Sequence, residues 1–230
     1  MKKKRVILIP ILLICSLFTA YAGGSKDDVE NVYKYRVGVD LQFKLFKGMK
    51  LDVGPELRYY EGYDMFMLNG GLTYKTFGCI YWGASYRLAV DRLESTTTTY
   101  SYSGFGSNYD SETYHRYAFD VTYKDDFKRF TPSFRLRYSN YTDDDVFDGE
   151  FLRYRAKLEY NIRKCKFTPF ISAEGFQELN EMMLYKMRYS TGVDYKFSKN
   201  SSLGVDYKLD YFSLKYKNAH IFSIGYKYKF

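Results

Sequence analysis

Polar and apolar side chains alternate along almost the whole chain, and this period of two constrains the fold more than any other feature. Between residues 33 and 45 the odd positions are Tyr33, Tyr35, Val37, Val39, Leu41, Phe43 and Leu45. The even positions are Lys34, Arg36, Gly38, Asp40, Gln42 and Lys44. Successive side chains of a β-strand point to opposite faces, so the run reads as a strand with one apolar and one polar face. The pattern resets after Lys47-Gly48 and returns over residues 50–59, with Leu51, Val53, Leu57 and Tyr59 against Lys50, Asp52, Glu56 and Arg58. It recurs at 152–162, and again at 185–197, where Tyr185, Met187 and Tyr189 share the apolar face and Lys186 and Arg188 the polar one.

Eleven such segments lie near 33–46, 49–60, 64–76, 79–92, 113–124, 129–141, 150–163, 166–178, 183–197, 202–213 and 219–230. A tilted strand crosses a bilayer in about 9–11 residues, so each is long enough to span. No helical period competes outside the first 22 residues. The expected fold is therefore all-β, a transmembrane antiparallel β-barrel of 10–12 strands. An odd count of eleven starts the first strand at the rim opposite the one that an even-numbered barrel uses.

Both ends of the chain carry addresses. Lys2, Lys3, Lys4 and Arg5 precede an apolar run from Val6 to Phe18, then Ala20-Tyr21-Ala22. This is the pattern of a cleaved signal peptide over residues 1–22, leaving a barrel domain over 23–230. Cleavage removes four of the 35 basic residues and no acid, so the formal charge falls from +8 to +4. The basic character is then too slight to argue for nucleic acid. At the other end, Tyr226, Tyr228 and Phe230 alternate with Lys227 and Lys229 and the chain stops on the aromatic. Such an ending resembles the terminal strand read by the barrel-insertion machinery, and it directs the chain to the outer membrane of a Gram-negative bacterium.

The connections sort by length. Those around 47–48, 77–79, 124–128, 163–166 and 198–201 are short and expected to be periplasmic. Those at 92–113, 142–149, 179–182 and 214–218 are expected to be extracellular. The Ser/Thr/Tyr-rich stretch 92–113 reads as a projecting hairpin.

In a membrane barrel the apolar faces meet lipid and the polar faces line the lumen. Aromatics make up 20% of the chain, including 27 Tyr, and crowd the apolar faces near strand ends, as interfacial girdles do. Outer-membrane lipids and lipopolysaccharide are thus expected contacts. The lumen is expected to hold a charge network of Arg36, Glu56, Arg58, Arg87, Arg116, Arg135, Arg137, Arg153, Arg155, Glu159, Glu174 and Arg188. Buried ions persist when paired, so cross-strand ion pairs are the plain reading. The surplus of arginine also suits phosphate or carboxylate groups, and hence a small anionic solute.

Evidence for an enzyme is slight. The two histidines, His115 and His220, fall by parity on the lipid-facing side near the extracellular rim, and Ser223 falls on the opposite face from His220. No catalytic residue, metal site or cofactor is assigned. Asp143, Asp144, Asp145 and Asp148 make an acidic loop whose spacing does not match a calcium-binding loop. Cys79 and Cys165 lie in turns four strands apart, too distant for a disulfide, and are expected to be free.

Several short motifs carry a family resemblance. These are Glu56-Leu57-Arg58, Phe134-Arg135-Leu136-Arg137-Tyr138, Leu152-Arg153-Tyr154-Arg155, Leu158-Glu159-Tyr160, Thr168-Pro169-Phe170 with Ala173-Glu174, and Tyr226-Lys227-Tyr228. In order and spacing they resemble the domain of unknown function 2490, predicted outer-membrane proteins abundant in Bacteroidetes. A Trp usual near the first strand of that family is replaced here by Val32 or Tyr33. The resemblance implies location and barrel architecture and transfers no catalytic residue. The functional expectation is a small porin or solute-binding barrel. The alternatives are a structural or interaction barrel acting through its extracellular loops, and a lipid-modifying enzyme at the outer rim.

Overall fold

The computed structural model describes residues 30–60, 63–93, 110–141, 148–213 and 217–230. The proposed signal peptide, most of the projecting 92–113 hairpin and the Asp143–Asp145 loop lie outside these residues. Eleven strands run β1 (Glu30–Phe46), β2 (Met49–Tyr60), β3 (Tyr63–Lys75), β4 (Ile80–Leu93), β5 (Asp110–Lys124), β6 (Phe130–Tyr141), β7 (Asp148–Tyr160), β8 (Phe167–Glu178), β9 (Leu184–Lys196), β10 (Ser201–Phe212) and β11 (Lys217–Lys229). Each pairs antiparallel with the next in sequence, and the sheet closes on itself as a barrel.

The odd count is resolved at the seam. β1 pairs with β11 in parallel over thirteen residues, from Glu30 opposite Lys217 to Gln42 opposite Lys229. Both strands therefore start at the rim of the longer connections and end at the rim of the short turns. Phe230 caps the seam, donating its N–H to the Gln42 carbonyl at 2.9 Å and stacking on Phe43.

The period-2 sequence gives this sheet two unlike faces. Outward side chains such as Tyr35, Leu57, Trp82, Phe119, Leu136 and Ile171 are at least half exposed, whereas inward Arg36, Arg58, Arg116 and Arg153 are buried. The first hairpin turns at Gly48, whose φ of +89° is a left-handed conformation that suits glycine. Gly54 is needed for another reason. A Cβ there would lie 1.7 Å from the Val39 carbonyl oxygen, so only glycine lets β1 and β2 approach this closely.

One outward assignment is corrected. Tyr185 does not stay on the outer face with Tyr189. The β8–β9 register shifts between Phe176 and Gln177, which leaves Tyr185 as an extra residue on β9. Such a bulge turns a side chain off its parity, and Tyr185 packs inside against Phe151 and Phe212.

A closed-ended basic cup as candidate functional site

Fully buried inward side chains form a belt in the half of the lumen nearer the long connections. Val32, Met67, Ala89, Ala118, Ser139, Phe151, Phe176, Lys186, Asp210 and Ile221 each have 0% exposure, and they come from ten of the eleven strands. The belt is largely apolar, in two clusters. Phe151, Tyr185, Phe212, Ala219 and Ile221 form one; Met65, Met67 and Ala89, with Tyr114, form the other. The exception is a dry ion triad in which Asp210 accepts from Arg188 at 2.5 and 2.7 Å and pairs with Lys186 at 3.0 Å. Both cations lie over the Phe176 ring. This belt closes the lumen among the described residues.

Toward the short-turn rim the lumen opens. Inward charges there stay partly wet, with side-chain exposures of 41% for Lys124, 34% for Lys227 and 29% for Asp52. Between this mouth and the belt lies a cavity of about 520 Å³. Ten cations line it against five carboxylates, Asp40, Asp52, Glu56, Glu174 and Asp206.

Register explains the excess. Four pairs of arginines stand directly opposite one another across neighbouring strands: Arg36 with Arg58, Arg87 with Arg116, Arg135 with Arg155, and Arg137 with Arg153. Like charges so placed repel, and carboxylates on the same strand or one or two strands away hold most of them. Glu56 accepts from Arg58 at 2.6 Å and lies 3.9 Å from Arg87. Asp120 pairs with Arg137 at 2.7 Å. Glu174 bridges Arg135 at 2.7 Å and Arg153 at 3.1 Å. Arg155 lines the same cavity, opposite Arg135, with no hydrogen bond or ion pair to any described residue.

The remaining network residues lie around this centre. Arg36 and Arg188 line the cavity wall. Arg116 lies deeper, with its guanidinium over the Tyr114 and Tyr141 rings. Glu159 is nearer the mouth, bound to Lys157 at 2.9 Å and Lys124 at 3.0 Å. The sequence reading left Lys186 and Asp210 out of the network. The available signal was their spacing, two residues before Arg188 and two after Lys208, on the inward parity of β9 and β10.

The histidines lie outside the lumen. His115 Nδ1 bonds the Tyr86 hydroxyl. His220 bonds the Tyr207 hydroxyl at 2.7 Å and stacks on Tyr33. Ser223 is buried on the inner face, accepting from Lys208. Cys79 and Cys165 are both free. Desolvation, together with the Asp125 carboxylate 3.4 Å from Sγ, pushes the Cys79 thiol above its ordinary value.

A family model described as a protein of unknown function (DUF2490) matches residues 33–220. Among solved structures, the beta domain of the Bordetella autotransporter Brka is similar, with a TM-score of 0.47 and 15% identity. The match covers 83% of this chain and 87% of that one. No curated protein matches.

Proposed function

The chain belongs to the DUF2490 family of proteins of unknown function, and we propose that it is an outer-membrane barrel that binds a small polyanion in its lumen without conducting it. The observation that carries this is the four opposed arginine pairs above a closed belt, one of them including Arg155, whose other neighbour, Glu174, already bridges Arg135 and Arg153. A ligand with phosphate or carboxylate oxygens supplies the charge missing there, through bidentate contacts that guanidinium favours.

The exterior supports the membrane reading. An aromatic rim at Tyr33, Tyr35 and Tyr59 faces another at Phe43 and Phe230. Ten residues from Tyr33 to Phe43, at about 3.3 Å each and tilted about 40°, span about 25 Å, the height of a barrel's lipid-facing band. The C-terminal Tyr226, Tyr228 and Phe230 suit recognition by the insertion machinery, and the short turns then face the periplasm. The cup opens on that side. The reading is of a binder and not an enzyme, because the two histidines lie on the outer face while Ser223 lies inside.

Titration of the detergent-solubilised barrel with inorganic pyrophosphate and with citrate tests the proposal. Saturable binding by either anion, weakened at least tenfold by Arg155→Ala, is expected. No binding by either, or binding unaffected by Arg155→Ala, would overturn it.

A further inference from the structure

The outer wall carries a feature that the cup does not use. Across β6 to β9, Phe134, Ala156, Ala173 and Tyr189 stand in one register row. The two alanines, direct partners, form a low floor between two rings. One row nearer the short turns, Leu158 and Ile171 continue the depression, with Ile171 61% exposed. The result is an apolar groove of about 570 Å³ on the face turned to lipid.

Below it lies a cationic rim. Arg129, Arg163, Lys164, Lys166 and Lys199 are all exposed, in the three turns that follow β5, β7 and β9. The turns are joined by backbone bonds, Asn161 N–H to the Arg129 carbonyl at 2.7 Å and Lys196 N–H to the Lys166 carbonyl at 3.0 Å. None of the five forms an ion pair among the described residues; Lys166 Nζ donates only to the Phe197 carbonyl, at 3.5 Å. Nearby acids are engaged elsewhere. Asp126 accepts from the Thr131 hydroxyl at 2.6 Å, and Asp125 from Cys79 and Tyr123.

We propose that this groove and rim form a binding site for one anionic phospholipid of the leaflet at the short-turn side. An acyl chain lies over Ala156 and Ala173, and the phosphate is held by Arg129, Arg163 and Lys166. Ala156 to Tyr160 is four residues, about 13 Å along the strand, so the groove starts at acyl depth and ends where headgroups lie. Basic clusters at a membrane boundary select anionic headgroups on the same grounds. The inference rests on the membrane reading of the exterior and is independent of the cup.

The test is thermal unfolding of the barrel in neutral detergent, followed by the gel-mobility shift of folded barrel. Phosphatidylglycerol, phosphatidylcholine of the same acyl chains and glycerol phosphate are each added in turn. Phosphatidylglycerol at a hundredfold excess over its Kd is expected to raise the midpoint by about 5 °C or more, phosphatidylcholine by much less, and glycerol phosphate not at all. A triple variant Arg129→Ala, Arg163→Ala, Lys166→Ala loses the increment. Lys47→Ala, Lys50→Ala, Lys75→Ala, on the opposite arc of the same rim, keeps it. Ala173→Phe, which fills the groove, lowers it for the untouched headgroup site. Salt near 1 M removes it in the unaltered protein by screening.

Equal stabilisation by the two lipids would overturn the proposal. So would equal loss in both triple variants, an increment that survives 1 M salt, or a dimer that seals the groove in native mass spectrometry. A chain that folds in no detergent or bilayer would instead defeat the membrane reading itself.

Discussion

The two halves of the lumen are built from the same eleven strands, yet one is dry and the other wet. In the dry half the charges are few, two cations, Lys186 and Arg188, sharing the single Asp210 between the Phe176 and Phe212 rings. In the wet half charges are many and unevenly matched. There Arg135 and Arg153 share Glu174, Arg137 takes Asp120, and Arg155 stands opposite Glu174 without an ion pair. The mouth charges Lys124, Lys227 and Asp52 are partly solvated, whereas Arg153 and Glu174 are buried and must find their partners within the protein, as the belt ions do. The lumen is thus packed at one end and lined by an excess of cations around a cavity at the other.

The largest effect that would break this comparison is expected at Asp210. Asp210→Ala strands two cations in the belt and should cost about 3–5 kcal/mol; urea unfolding that moves by less than about 1 kcal/mol would mean that water reaches the triad. Next comes the apolar packing. Met67→Ala should cost about 2–5 kcal/mol through the cavity it leaves, and the same denaturation series reads it. Arg155→Ala separates the two roles. Stability should stay within about 1 kcal/mol, because the change removes the opposition to Arg135 along with the attraction to Glu174 and some stem packing, while pyrophosphate or citrate affinity falls at least tenfold by calorimetry. The smallest effect belongs to the mouth. Asp52→Ala, which breaks a partly exposed contact with Lys227 at 3.3 Å and a hydrogen bond from Gln42 at 2.7 Å, should shift stability by no more than about 1 kcal/mol.

The strands were legible because a half-polar wall repeats its period in every segment. The eleven alternating runs match the eleven strands to within a few residues at each end. Inward parity of the arginines was legible for the same reason. What could not be read depends on neighbours. Which arginines face one another is a matter of register between strands, and one strand's pattern does not contain it. The dry belt was hidden because alternation fails there: Met65, Phe66, Met67 and Leu68 are apolar on both faces, the first and third buried inside and the others exposed outside. Tyr185 was assigned outward because a bulge leaves no trace in a period-2 count. The parallel β1–β11 seam follows from closure with an odd strand number, a property of the whole ring.

The fully buried belt closes the barrel at one end. Single-channel recording of the purified barrel in a planar bilayer, with a salt gradient, tests it most directly. A correctly inserted, heat-modifiable barrel that is electrically silent is expected. Stable openings with anion selectivity, altered by substitutions at Arg135, Arg153 or Arg155, would contradict it and make the lumen a pore.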